Sequence, residues 1–187
     1  MDAITLLRND HKTVKGLFVQ FEKAGENAKK TKRDLVDKII EELAVHAAIE
    51  EQIFYPAVRE GLPDAEDTVL EGLEEHHIVK WTLSELDGLE PDHERFDAKV
   101  KVLIESVRHH MEEEEGEMFP EVRKALGRKR LSELGEQMEA ARKIVPTPTR
   151  PHPRTPDTPP ANVVGGAGAG LMDRARSRAR RKVSASS

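Results

Sequence analysis

Cysteine is absent from the 187-residue chain, which removes disulfides, thiolate metal ligation and thiol catalysis together. Aromatic residues amount to 4%, a poverty that argues against a β-rich fold and for amphipathic helices. No segment approaches the roughly 20 consecutive apolar residues of a membrane helix. The opening residues, Met1 to Arg8, lack a basic flank followed by an apolar stretch, so no secretory signal is expected and the expectation is a cytoplasmic protein. Also missing are a nucleophile paired with its base, a phosphate-binding loop and any fingerprint that would name an organic cofactor or substrate.

Charge is abundant, at 35% of residues, and it is unevenly placed. From Pro146 onward eight lysines or arginines stand against Asp157 and Asp173, so a basic tail follows an acidic body. That tail runs through Pro-Thr repeats, a glycine-alanine stretch and the arginines Arg174 to Arg181. Its composition cannot bury enough apolar surface to order itself, and residues 146–187 are expected to be disordered. With no aromatics among the arginines, any contact of the tail with nucleic acid or an anionic membrane would be weak, sequence-blind and lost with salt.

Residues 1–145 read as one helical domain. Breakers at Gly25 to Lys30, Gly61-Leu62-Pro63 and Gly88 to Asp92 separate helices at about 2–25, 31–60, 64–88 and 92–127, with Thr31, Asp64 and Asp92 as expected N-caps. The fourth is expected to break near Gly116 and Pro120, and a fifth amphipathic segment, Lys129 to Ile144, follows Gly127. Short connections make neighbours antiparallel, so the expected fold is all-α: an up-down-up-down four-helix bundle with a short extra C-terminal helix.

A pattern His-x3-Glu-x5-Pro occurs twice, as His46, Glu50, Pro56 and as His110, Glu114, Pro120, at an offset of 64 residues. Inward positions of a bundle recur at alternating steps of three and four. The first helix gives Ile4, Leu7, His11, Val14, Phe18, Phe21; the second gives Ile39, Leu43, His46, Glu50, Ile53. The third gives Val69, Leu73, His76, Val79, Leu83, Leu86; the fourth gives Phe96, Val100, Leu103, Val107, His110, Glu114. Four histidines and two glutamates thus replace core residues, and a buried carboxylate is costly unless a cation compensates it. Residues at i and i+4 share a helix face, so each imidazole can serve one ion while its glutamate reaches a second. His11, His46, Glu50, His76, His110 and Glu114 are therefore the candidate ligands of two ions. Imidazole and carboxylate without thiolate suit iron, manganese or zinc.

Within the run Glu112 to Glu115, spacing selects Glu114; Glu51 and Glu115 are left as supporting or substitute groups. His77 and His109 remain alternatives to their neighbours, whereas His93 and His152 are not expected to bind the cluster. Met111, Met118 and Trp81 are read as packing. Tyr55 either faces the cluster or finds a polar partner at the surface.

Asp10-His11, His46-Ala47-Ala48-Ile49-Glu50-Glu51, Glu75-His76 and His110 to Glu115, with Tyr-Pro or Phe-Pro closing each pair, resemble the haemerythrin-like HHE cation-binding domain family over roughly Met1 to Leu126. The resemblance implies a non-haem di-iron centre, with the four histidines as terminal ligands and Glu50 and Glu114 as bridges. Two iron ions are then favoured over manganese or zinc, and the expected partners are oxygen, nitric oxide or peroxide. Two positions depart from the oxygen carriers of that family: Lys80 stands where they have a further histidine, and Glu115 where they have aspartate. A missing nitrogen ligand favours reaction with an oxidant or gas over reversible carriage; an enzyme of this kind would be a di-iron oxidoreductase. The alternative is an iron- or oxygen-responsive interaction module without turnover.

Overall fold

Apolar residues spaced by threes and fours give each helix one face to bury, and the bundle forms by closing those faces on one another. The structure is a computed structural model that describes residues 1–144; the tail expected to be disordered lies outside the described residues. Among the described residues there is no strand. The helices are α1 (Ala3–Lys23), α2 (Lys29–Ile49), α3 (Tyr55–Gly61), α4 (Glu66–Leu86), α5 (Phe96–Glu113) and α6 (Phe119–Ile144). They make an all-α four-helix bundle whose rods are α1, α2 continued by α3, α4, and α5 continued by α6. No helix among the described residues is long and apolar enough to cross a membrane.

The joins within the second and fourth rods differ from expectation. In place of one uninterrupted helix at 31–60 and a break near Gly116 and Pro120, each rod carries a π-helical turn, Glu50–Phe54 and Glu114–Met118. The Tyr55 N–H donates to the Glu50 carbonyl and the Phe119 N–H to the Glu114 carbonyl, each five residues back. The prolines that follow, Pro56 and Pro120, have no N–H, and their rings crowd the carbonyl four residues back in an α turn; a widened turn relieves that crowding without ending the rod.

The expected N-caps are also corrected. Thr31 lies inside α2, which begins after Ala28 because the Lys32 N–H already reaches the Ala28 carbonyl. Asp64 sits in a 3-10 turn, Pro63–Ala65, that leads into α4. Asp92 gives way to His93, whose Nδ1 accepts from the Arg95 N–H at 3.1 Å just ahead of α5. The side-chain cap that does form is Asp2, which accepts from the Thr5 N–H at 2.9 Å.

At Gly127 the backbone turns to φ 68°, a left-handed value that glycine adopts without strain. The expected fifth segment is the part of α6 beyond this bend. It packs along α1 and adds Leu131, Leu134 and Met138 to a core with Ala3, Ile4, Leu7, Phe54, Val58 and Phe119. A second apolar core, including Val14, Phe18, Ile39, Leu43, Val79, Leu83, Val100 and Val107, fills the other end of the bundle. The histidines lie in the belt between the two, so apolar plugs close the polar layer from above and below.

Candidate metal centre

His11, on α1, follows Leu7 and precedes Val14 on one buried stripe, and the same placement holds for His46 on α2, His76 on α4 and His110 on α5. Each π turn opens at its glutamate, so Glu50 and Glu114 enter the same layer, and all six side chains are buried. The six form two overlapping groups whose donor atoms lie within 4.8 Å of one another: His11, His46, Glu50 and Glu114, and Glu50, His76 and His110.

The arrangement has an approximate two-fold logic. Glu50 Oε2 lies 3.1 Å from His46 Nε2 and 3.4 Å from His76 Nε2. Glu114 Oε2 lies 3.3 Å from His11 Nε2 and 3.6 Å from His110 Nε2. Each carboxylate therefore reaches one histidine of each pair. The ring centroids of His11 and His46 are 4.9 Å apart, and those of His76 and His110 are 4.8 Å apart.

Behind every ring stands a carboxylate facing the outer nitrogen. His11 Nδ1 meets Glu115 Oε1 at 2.8 Å, His76 Nδ1 meets Glu51 Oε1 at 3.0 Å and His110 Nδ1 meets Glu75 Oε2 at 2.6 Å. His46 Nδ1 faces Asp10 Oδ2 at the longer distance of 3.6 Å, with Arg142 of α6 paired to that same oxygen. A carboxylate behind an imidazole fixes the proton on Nδ1 and leaves Nε2 as a bare lone pair, the tautomer a metal requires. With both outer nitrogens so engaged, His76 Nε2 and His110 Nε2 face each other at 3.1 Å, a repulsive contact unless a proton or a metal ion lies on it.

Orphaned atoms test whether a cation fits here. Among the described residues, the buried side-chain atoms without a hydrogen-bond partner include His11 Nε2, both nitrogens of His46, both oxygens of Glu50 and Glu114 Oε2. Buried polar groups of this kind are rare and costly. Apart from His46 Nδ1, which faces Asp10, they gather in the one layer of His11, His46, Glu50 and Glu114, and their nitrogen and oxygen chemistry fits a first-row transition ion.

The charges respond to one another. Burial works against the charged form of His76, but Glu50 and Glu51 outweigh it and push the ring up to about 10. His11 is raised in the same way, with Glu114 and Glu50 overcoming burial. Burial would raise Glu114, yet His110, His11 and His46 hold it well below the usual carboxylate range. Without a metal, the raised affinity of His76 and His11 for protons answers the buried carboxylates in place of a cation.

Tyr55 and Phe119 occupy matching places in the two copies of the motif. Phe119 stacks on His11, with centroids 5.8 Å apart, and Tyr55 lies against His76 at 5.5 Å. The Tyr55 hydroxyl donates to Glu114 Oε1 at 3.0 Å. Burial, then the negative charge of Glu114, raises this phenol well above its ordinary value, so it stays protonated. Gly72 makes room for it: a Cβ there would stand 2.9 Å from the tyrosine oxygen.

His76 is the inward member of its pair and His77 is exposed; His109 likewise points out, with 67% of its side chain accessible. His93 lies outside the layer, and His152 lies outside the described residues. Met111 and Met118 pack in the core, whereas Trp81 does not, being 52% exposed. Lys80 is turned inward to Glu51, at 3.0 Å. Sequence reasoning gave no role to Asp10 and Glu75. A signal was present, because Asp10-His11-x3-Lys15 and Glu75-His76-x3-Lys80 repeat at an offset of 65.

A family model described as the hemerythrin HHE cation binding domain matches residues 2–122. An uncharacterized hemerythrin-like protein of Schizosaccharomyces pombe is 28% identical over 141 residues, covering 75% of this chain and 68% of the relative. A protein of Nostoc sp. named DNA nickase is 25% identical over 142 residues, covering 76% of this chain but 39% of its own length. Among solved structures, the crystal structure of a hemerythrin HHE cation binding domain-containing protein from Mycobacterium kansasii is similar at a TM-score of 0.66 and 25% identity, covering 89% of this chain and 99% of that one.

Proposed function

The chain belongs to the hemerythrin HHE cation-binding domain family, and from that premise we propose that it is a non-haem di-iron protein that binds or reacts with oxygen, hydrogen peroxide or nitric oxide. The supporting observation is the convergence of unpartnered buried atoms from His11, His46, Glu50 and Glu114 beside the facing Nε2 atoms of His76 and His110. In this reading His11 and His46 would hold one ion and His76 and His110 the other, with Glu50 and Glu114 shared between the two. When bound, such a pair supplies a Lewis-acidic, redox-active position for a small oxidant or gas.

The chain's own residues do the rest. Glu115, Glu51 and Glu75 keep the rings of His11, His76 and His110 in the donor tautomer. Two apolar cores exclude bulk water from the layer. The Tyr55 hydroxyl, its oxygen 3.0 Å from Glu114 Oε1, donates to that carboxylate and orients it. Lys80, committed to Glu51, supplies no nitrogen ligand to the pair. This leaves room for an incoming molecule and favours reaction over reversible carriage.

A second reading, an iron- or oxygen-responsive interaction module without turnover, draws on Arg142. Its pairing with Asp10 joins the carboxylate behind His46 to the last described turns of α6, so loading of the site could alter how that segment is held.

The deciding experiment is metal analysis and an optical spectrum of protein from iron-replete cells, followed by addition of peroxide, oxygen and nitric oxide. About two irons per chain are expected, with spectral change or turnover on addition of at least one of the three. Glu50→Ala and Glu114→Ala should each lose the dinuclear signal; retention of both ions in either variant overturns the bridging assignment.

A further inference from the structure

Among the described residues, a further set of ligand-type side chains converges outside the centre. His109 and Glu113 stand one turn apart on α5, with His109 Nε2 3.2 Å from Glu113 Oε1. Glu75 of α4 completes the group, and one donor atom from each of the three lies within 4.8 Å of the others. The side chains are open to solvent, at 67% for His109, 38% for Glu113 and 24% for Glu75.

The internal repeat shows that this group is not a by-product of building the centre. Behind His46, the carboxylate of Asp10 is met by a cation from the protein itself, the Arg142 guanidinium. Behind His110, the corresponding carboxylate is Glu75, which meets His110 Nδ1 at 2.6 Å and stands beside His109 and Glu113. An offset of 64 pairs His109 and Glu113 with Val45 and Ile49, neither of which can ligate. The first half therefore balances its outer carboxylate with arginine, and the second half surrounds its own with a histidine and a second carboxylate.

We propose that Glu75, His109 and Glu113 form a peripheral site for a borderline divalent cation such as zinc, manganese or ferrous iron. One imidazole and two carboxylates from two adjacent helices leave further positions for water, a set that suits these ions over calcium or copper(I). An ion there lies on the solvent side of the His110 ring and supplies the charge that Arg142 supplies to Asp10. The site goes beyond the central pair and does not depend on what that pair binds.

Zinc chloride titrated calorimetrically into the iron-loaded full chain tests the proposal, with His109→Ala and Glu113→Gln compared with wild type at equal iron content. Wild type is expected to take up one zinc equivalent more than either variant, or to bind it at least tenfold more tightly. Equal zinc uptake by wild type and His109→Ala overturns the proposal. Because the readout is the difference between chains that share an unaltered centre, failure of the di-iron reading would appear separately, as low iron content in all three.

Discussion

Behind His76 the supporting pair is Glu51 and Lys80, with side chains 3% and 9% exposed; behind His11 the same places hold Glu115 and Lys15, at 30% and 38%. The hydrogen-bond lengths hardly differ, 3.0 Å for Lys80 to Glu51 and 2.9 Å for Lys15 to Glu115. What differs is the medium. A charge pair in the interior interacts strongly and has no water to fall back on, whereas one at the surface is screened and replaceable. Two halves copied from one motif therefore present two kinds of ligand support: a locked one behind His76 and a yielding one behind His11.

The largest contrast should come from the lysines. Lys80→Met removes the lysine from the buried Glu51 and leaves it the His76 ring, a loss of up to about 3–5 kcal/mol. Lys15→Met removes a half-exposed partner and should cost less than about 1 kcal/mol. Urea unfolding of the chelated protein measures both. Equal costs would break the comparison, since depth would then not govern how firmly each ring is held.

Sequence periodicity made the inward faces legible, because a bundle's seam is a local property of each helix: His11, His46, His76 and His110 fall on the apolar stripes, and the His-x3-Glu spacing brings Glu50 and Glu114 with them. The π turns were not legible in this way. They place an extra residue in one turn, which alters the hydrogen-bond register without changing which side chains are apolar. Glu51 and Glu115 were already marked as supporting groups, but the other two carboxylates behind the rings, Glu75 and Asp10, were hidden for another reason. Glu75 serves His110, and Asp10 faces His46, each from a neighbouring helix, so no spacing along one helix could pair them. Trp81 was misread because large apolar residues are normally buried, while α4 turns this one outward.

Acidity gives the next contrast. In the metal-free protein His76 titrates at about 10 rather than at its unfolded value near 6.5, and His11 is raised as well. A folded value above the unfolded one means that protonation of His76 stabilises the metal-free fold fully below pH 6.5. That contribution disappears as the pH rises through 10. An incoming ion must displace these protons, so apparent metal affinity should rise with pH by about tenfold per unit for each proton released. The rise should continue on the His76 side up to about pH 10. Calorimetry in buffers of different ionisation heat reads the protons directly. Metal uptake at pH 7 with no buffer-dependent heat would mean the histidines are already neutral and the facing ring nitrogens are stabilised by something else.

The finest contrast lies between Tyr55 and Phe119, matched in position and unlike by one hydroxyl. Tyr55→Phe makes the halves alike at this place and removes the donor to Glu114 Oε1, which should cost about 1–2 kcal/mol in the chelated protein. Gly72→Ala should cost a similar amount, since its new methyl would meet the tyrosine oxygen at 2.9 Å and Cζ at 3.3 Å. The two effects should not add. Once the hydroxyl is gone the closer of these contacts is relieved, so the double variant should be more stable than the sum of the single losses allows. Additive losses would instead place the strain of Gly72→Ala elsewhere in α4, and Tyr55 would then owe its position to the stacking against His76 and not to the space beside the glycine.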